Sequence, residues 1–163
     1  MLRLRPYQEV DESAILSWPI DERTFYRWTA GRLGEYPLTP ERFAQTRALM
    51  RFTLLDESEI AGFFTLRHPG ESRNEVRFGF VIVDPRKRGR GYGKEMLRLG
   101  LKFAFEIYGA KKATLGVFEN NPAAYACYKA AGFRDAPDVK REAYRVLGEE
   151  WACREMIFEG DVK

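Results

Sequence analysis

Between Asp84 and Lys94 the chain reads DPRKRGRGYGK, so Arg86, Lys87, Arg88, Arg90 and Lys94 are interleaved with Gly89, Gly91 and Gly93. Cationic side chains hold an anion, and glycines let backbone N–H groups approach it without Cβ clashes. The chemistry this stretch suits is phosphate binding. Spacing excludes two phosphate motifs. A dinucleotide fingerprint needs Gly-x-Gly-x-x-Gly, but after Gly89 and Gly91 the third glycine position holds Lys94. A nucleotide P-loop counted back from Gly93-Lys94 has Arg88 at its first glycine and Glu95 at its hydroxyl position.

A second stretch, Asn121 to Phe133 (NPAAYACYKAAGF), joins a carboxamide to a phenol. Asn121 is a good N-cap, Pro122 suits the first helical position, and Gly132-Phe133 is a left-handed stop with its apolar contact. Capping alone accounts for those residues and leaves Tyr128 unexplained. Asn121 and Tyr128 are two helical turns apart, which puts both on one face with Ala124 and Tyr125.

The elements that must position these groups can be read outward from them. Apart from Arg77, Val76 to Val83 is β-branched or aromatic with one Gly, too short for a helix and right for a buried strand that Asp84-Pro85 ends. Tyr92 to Tyr108 is an apolar-faced helix with Tyr92, Met96, Leu99, Phe103 and Ile107 on one stripe. Ala113 to Phe118 is a second apolar strand, leading to Asn121. Leu2 to Arg5 alternates as a first strand, and Asp11–Trp18 and Asp21–Ala30 read as short helices. A further short helix starts near Pro40, Arg51–Leu55 and Ile60–Arg67 form a hairpin, and Tyr144–Leu147 with Trp151–Phe158 closes the chain after a loop over 134–141. Strands and helices alternating in this way, flanked by hairpins, give an α+β sheet with helices on both faces.

Arg88-x-x-Gly91-x-Gly93 after a strand ending Val-Asp-Pro resembles the acyl-coenzyme A pyrophosphate loop of the GNAT superfamily of N-acetyltransferases. Asn121-x-x-Ala-x-x-x-Tyr128-x-x-x-Gly132-Phe133 resembles that superfamily's second motif, in the same order and place. The resemblance is close from Glu75 to Phe133 and holds in outline elsewhere. It implies a single GNAT domain over 1–163, built on a mixed, mostly antiparallel twisted sheet of about six to seven strands. Two parallel central strands, ending at Val83 and near Phe118, splay into a V for the pantetheine arm of acetyl-CoA.

By the same resemblance the backbone of Val81, Ile82 and Val83 pairs with pantetheine, and Arg88, Gly89, Arg90, Gly91, Tyr92, Gly93 and Lys94 hold the pyrophosphate. Asn121 binds the cofactor beyond it, with Ala124 and Tyr128 leaving room for a thin chain. Backbone N–H near Val81 polarises the thioester carbonyl, and Tyr128 is the general acid for the departing sulfur, leaving coenzyme A as product. The early helices border the acceptor pocket, so Trp18, Phe25, Tyr26, Trp28 and Tyr36 shape substrate choice. The activity implied is acetyl transfer to a primary amine of a small molecule or protein.

A lysine-like amine at pH 7 lies about 3.4 units below its pKa and must lose a proton first. The carboxylate that ribosomal-protein alanine acetyltransferases carry five residues before the Asn falls here at Gly116, and the one histone acetyltransferases carry on the central strand falls at Arg77. Glu75, on the same strand face as Arg77, and Glu119, beside the Asn pair, are the candidate bases, each through water. His68 has a suitable pKa but sits in a turn.

Composition bounds the rest. A chain of 163 residues with formal charge +3 has much of its excess between residues 86 and 94, which favours a local anion site over a nucleic-acid-coating surface. Two cysteines give neither a disulfide framework nor metal spacing, and one histidine cannot build a zinc site, so a reducing, cytoplasmic setting without metal is expected. The start MLRLRPYQEVDE has no apolar core, and no stretch has a membrane span's length, so no membrane partner is expected. Oligomeric state is unreadable, with a homodimer left open. Two other classes remain. A nucleic-acid module predicts steeply salt-dependent binding indifferent to Asn121 and Tyr128. An acetyl-CoA sensor without catalysis predicts that Tyr128→Phe changes nothing.

Overall fold

The computed structural model describes residues 1–162. Its strands are β1 (Leu2–Pro6), β2 (Met50–Asp56), β3 (Glu59–Arg67), β4 (Glu75–Val83), β5 (Lys112–Phe118), β6 (Arg134–Asp135), β7 (Glu142–Val146) and β8 (Glu149–Glu159). They form one eight-stranded sheet in the order β1-β2-β3-β4-β5-β8-β6, with β7 also on β8. Every pairing is antiparallel except β4 with β5. The strand count exceeds the sequence expectation because Arg134–Asp135, read as loop, pairs with Met156 and Ile157. Two residues are too few to show an alternation.

Helices α1 (Glu12–Ser17), α2 (Glu22–Thr29) and α3 (Pro40–Phe43) cover one face, where Ile15, Trp18, Phe25, Trp28 and Phe43 pack with Phe63 and Ile82. On the opposite face α4 (Tyr92–Lys102) and α5 (Pro122–Ala130) bury Met96, Leu97, Leu101 and Tyr128 against Phe64, Val76, Phe78 and Leu115. Asp21 caps α2 through the Thr24 N–H at 2.7 Å, and Thr39 caps α3 ahead of Pro40. The long helix expected to Tyr108 is α only to Lys102 and continues as a π turn, Phe103–Ile107. The wider turn shifts the angular position of its later residues, which removes Ile107 from the apolar stripe and leaves it 74% exposed.

Strand β4 carries a bulge. Its pairing with β3 slips between Thr65↔Gly79 and Phe63↔Ile82, so Phe80 and Val81 together face Phe64. Phe80 takes the left-handed φ of 49° that the extra residue demands, a strain of about 1–3 kcal/mol. The bulge also reverses the strand's alternation. Val76 and Phe78 face the α4 side before it, whereas Val81 and Val83 face that side after it and Phe80 and Ile82 turn to the α2 side.

Candidate active site

After β4 the chain makes a short 3-10 turn, Pro85–Lys87, capped by the buried Asp84, whose carboxylate accepts from the Arg86 N–H at 2.9 Å and from the Arg86 guanidinium at 2.8 Å. The Arg86 guanidinium holds the Asp84 carboxyl below its usual range. Lys87 donates to Glu59 at 2.8 Å. Arg88, Arg90 and Lys94 have no carboxylate partner among the described residues and are exposed. Gly89 and Gly91 adopt φ of +77° and +79°, and space is open where a Cβ would stand on either. Among the described residues no acceptor takes the backbone N–H groups of Arg88 to Lys94, which lie just before and within the first turn of α4, where its dipole favours an anion.

Two residues of this loop have other work. Tyr92 donates its hydroxyl to Asp56 at 2.6 Å, so that group is already paired. A Cβ on Gly93 would stand 2.9 Å from the Cys127 sulfur, so that glycine is what lets α4 lie close to α5.

Strands β4 and β5 pair only from Glu75↔Lys112 to Arg77↔Thr114. Beyond that they diverge, and the edge of β4 that includes Val81, Ile82 and Val83 loses its β5 partner, leaving main-chain groups open toward the gap. The bulge lies within this open stretch. Trp28 of α2 packs edge-on against Phe80 at 6.3 Å and backs it from the far face.

A cavity of about 120 Å³ occupies the gap, lined by Gly79, Phe80, Gly116, Asn121 and Tyr128 among others. Asn121 caps α5, its carboxamide oxygen accepting from the Ala124 N–H at 3.4 Å, which leaves its NH₂ group for the cavity. Tyr128 is 8% exposed, and its hydroxyl makes no hydrogen bond to any described residue. Burial pushes this phenol well above its ordinary pKa, so it stays protonated throughout the neutral range.

The carboxylates expected near the chemistry are elsewhere. Glu75 lies at the closed end of the V, its carbonyl bonded to His68 Nδ1 at 3.0 Å, and Glu119 is ion-paired with Arg141 and, at 3.9 Å, Arg154. Neither residue lines the cavity, nor does His68. Of the early aromatics, Trp28 reaches it, whereas Trp18, Phe25, Tyr26 and Tyr36 pack in the α2-side core. Four arginines, Arg27, Arg32, Arg67 and Arg77, also line the cavity, and of these the sequence reading had named only Arg77, as the place of an absent base. They come from separate elements and share no local motif.

The residues present fit acetyl-CoA. Free N–H groups on an open glycine turn and three cations without a carboxylate partner suit a pyrophosphate, and the unpartnered β4 edge suits an amide-bearing arm. A spermine/spermidine N(1)-acetyltransferase of Bacillus subtilis is 32% identical over 99 residues, which are 58% of this chain and 65% of that protein. The chain thus matches just under two thirds of that relative's length. The spermidine N-acetyltransferase of Vibrio cholerae in complex with CoA and spermine superposes with a TM-score of 0.79 at 21% identity, covering 97% of this chain and 95% of that one, and so shares its fold. The model of the Acetyltransferase (GNAT) family matches residues 11–133, spanning the bulged strand, the glycine turn and the Asn121–Phe133 helix together. Those three parts, in that order on one open sheet, place the chain in the GNAT acetyltransferase family.

Proposed function

We propose that this protein transfers the acetyl group of acetyl-CoA to a primary amine of a small molecule, by direct attack within a ternary complex. The observation that carries this reading is the gap between β4 and β5, with an anion-binding turn at its mouth and the buried Tyr128 phenol, whose hydroxyl has no partner among the described residues, in its cavity. When bound, acetyl-CoA supplies an acyl thioester whose carbonyl carbon accepts the amine nitrogen while the C–S bond breaks. Arg88, Arg90, Lys94 and the N–H groups of the glycine turn hold the pyrophosphate. Main-chain groups of Val81–Val83 align the arm, and an N–H at the bulge faces the carbonyl oxygen, where negative charge develops. Tyr128, kept protonated by burial, donates to the departing sulfur.

The amine must arrive unprotonated, and no carboxylate or imidazole lines the cavity. Four guanidinium groups there disfavour a second positive charge and lower the pKa of an amine held among them. Water then suffices as proton acceptor. The polyamine enzymes among the relatives support a small-molecule acceptor over a protein. The two free thiols, Cys127 and Cys153, suit a reducing compartment. A basic nucleic-acid surface is disfavoured, because Arg86 and Lys87 are already paired with Asp84 and Glu59.

Isothermal titration of acetyl-CoA, and of coenzyme A lacking its 3′-phosphate, into wild type and Arg88→Ala tests the cofactor site. Wild type should bind at micromolar levels and Arg88→Ala about tenfold or more weaker, the worth of one charged hydrogen bond. Wild-type protein that binds neither ligand refutes the reading.

A further inference from the structure

The cationic character of the acceptor end is unexplained by acetyl transfer alone. Arg27, Arg32, Arg67 and Arg77 line the cavity, and no Asp or Glu does. Arg67 and Arg77 are direct cross-strand partners on β3 and β4. Like charges placed opposite each other destabilise a sheet unless something neutralises them.

Only one of the pair is neutralised within the protein. Arg77 donates to Glu155 at 2.6 Å and to Thr114 at 3.2 Å. Its other terminal nitrogen stands 3.2 Å from where a Cβ on Gly116 would lie, so that glycine lets the guanidinium reach across β5. Arg67 is partly buried, and its guanidinium has no ion pair or hydrogen bond to any described residue. Burial first, then the neighbouring charges of Arg77 and Arg32, lower its pKa, and only Glu155 acts the other way. The Nε of Arg27 is buried without a partner. The remaining carboxylate nearby, Glu142, is exposed on β7 and accepts from the Tyr144 hydroxyl at 3.1 Å.

These arginines are not a continuation of the pyrophosphate turn. Arg77 lies at the closed end of the V, and the strand from there to Val83 runs roughly 20 Å at about 3.3 Å per residue before the turn begins.

We infer that the acceptor is an anionic amine: a small primary amine carrying a carboxylate or similar oxyanion a few bonds from its nitrogen, of which an α-amino acid is the simplest case, with Arg67 as the principal anion contact. A guanidinium fork fits such a group in two parallel hydrogen bonds and leaves the amine directed toward the bulge. The guanidinium charge left unneutralised here disfavours a polyamine, which brings only positive charge. This deepens the acetyl-transfer reading and rests on it.

The test compares matched acceptors on the intact protein by thiol release: leucine against isopentylamine, phenylalanine against 2-phenylethylamine, the other common amino acids, and spermidine. Acetyl-CoA titration is run beside it. Wild type should favour carboxylate-bearing amines at least about tenfold in kcat/KM. Arg67→Gln should lose about 10- to 100-fold toward them, as expected for a charged contact, while keeping acetyl-CoA affinity. Arg67→Lys, which retains charge without the fork, should fall between. Independently of turnover, the N-acetyl derivative of the best amino acid should raise the melting temperature of the CoA-loaded wild type and not of Arg67→Gln. If acetyl-CoA binds and spermidine or the decarboxylated amines serve as well or better, or no amino acid is accepted, or Arg67→Gln keeps the preference, the inference is overturned and acetyl transfer stands. If acetyl-CoA does not bind, the acetyl-transfer reading fails and this inference with it.

Discussion

Tyr128→Phe separates chemistry from binding, because the hydroxyl it removes does nothing else in the structure. The Tyr128 hydroxyl bonds to no described residue, while its ring is buried with Leu115, Val117 and Phe133 in the α4-side core. Phenylalanine retains the ring, so stability should move by no more than about 0.5 kcal/mol, or one to two degrees in Tm for a chain of this size. The loss in kcat should be that of a general acid, about 10²–10⁴-fold, or roughly 3–5 kcal/mol of barrier. Acetyl-CoA affinity should be unchanged within about threefold, roughly 0.65 kcal/mol. The pH profile adds a sign. An acid works only while protonated, and burial raises the pKa of Tyr128, so the wild-type rate should show no alkaline loss from this group below its ordinary value of 10. Steady-state thiol release, calorimetry and a thermal melt read the three quantities. A fall in kcat below tenfold, or a cofactor affinity that falls in step with the rate, would refute the role given to Tyr128.

Two further predictions concern the frame. Asp11 is fully buried, accepts twice from Arg5 at 2.7 Å and also binds Thr53 at 2.8 Å, so Asp11→Asn should cost about 3 kcal/mol, read by denaturant unfolding. Burial raises its pKa but the Arg5, Gln8 and Thr53 hydrogen bonds outweigh that and lower it below 3.8. The contribution is therefore complete above about pH 5 and lost as pH falls through the folded value, so the two proteins should converge in stability in acid. Gly100→Ala would set a Cβ 2.8 Å from the rings of Phe64 and Phe78, both buried. Overpacking of about 1–3 kcal/mol should exceed the gain of roughly 1 kcal/mol in helix propensity, and a raised Tm would refute the close-packing argument.

The parts of the site that the sequence made legible are those encoded locally. The glycine turn, the Asn121 cap and the strand ending at Asp84-Pro85 each need only a few consecutive residues, and each is found where the sequence put it. The bulge was hidden because Phe78 to Val83, which spans it, has no polar side chain, so a reversal of alternation leaves no mark in residue type. The arginine cavity was hidden for a different reason: Arg27, Arg32, Arg67 and Arg77 are spread over fifty residues and meet only through cross-strand pairing and the packing of α2. At the π turn, Ile107 kept the spacing of a helix whose geometry had changed beneath it.

The bulge at Phe80 makes residue number, more than residue type, the property that β4 has to keep. Removing one residue between Gly79 and Ile82 would make the ladder with β3 regular and relieve the left-handed conformation, an apparent improvement. Ile82 and Val83 would keep their partners Phe63 and Gly62, and so their faces, but a single residue would stand opposite Phe64 and the main-chain turn that sends Phe80 to the α2 side would be gone. The straightened strand would then run on beside β5 and close the gap that holds the cavity. Side chains along this strand can be exchanged for others of similar size, but a deletion of three atoms of main chain would inactivate the site by completing the sheet.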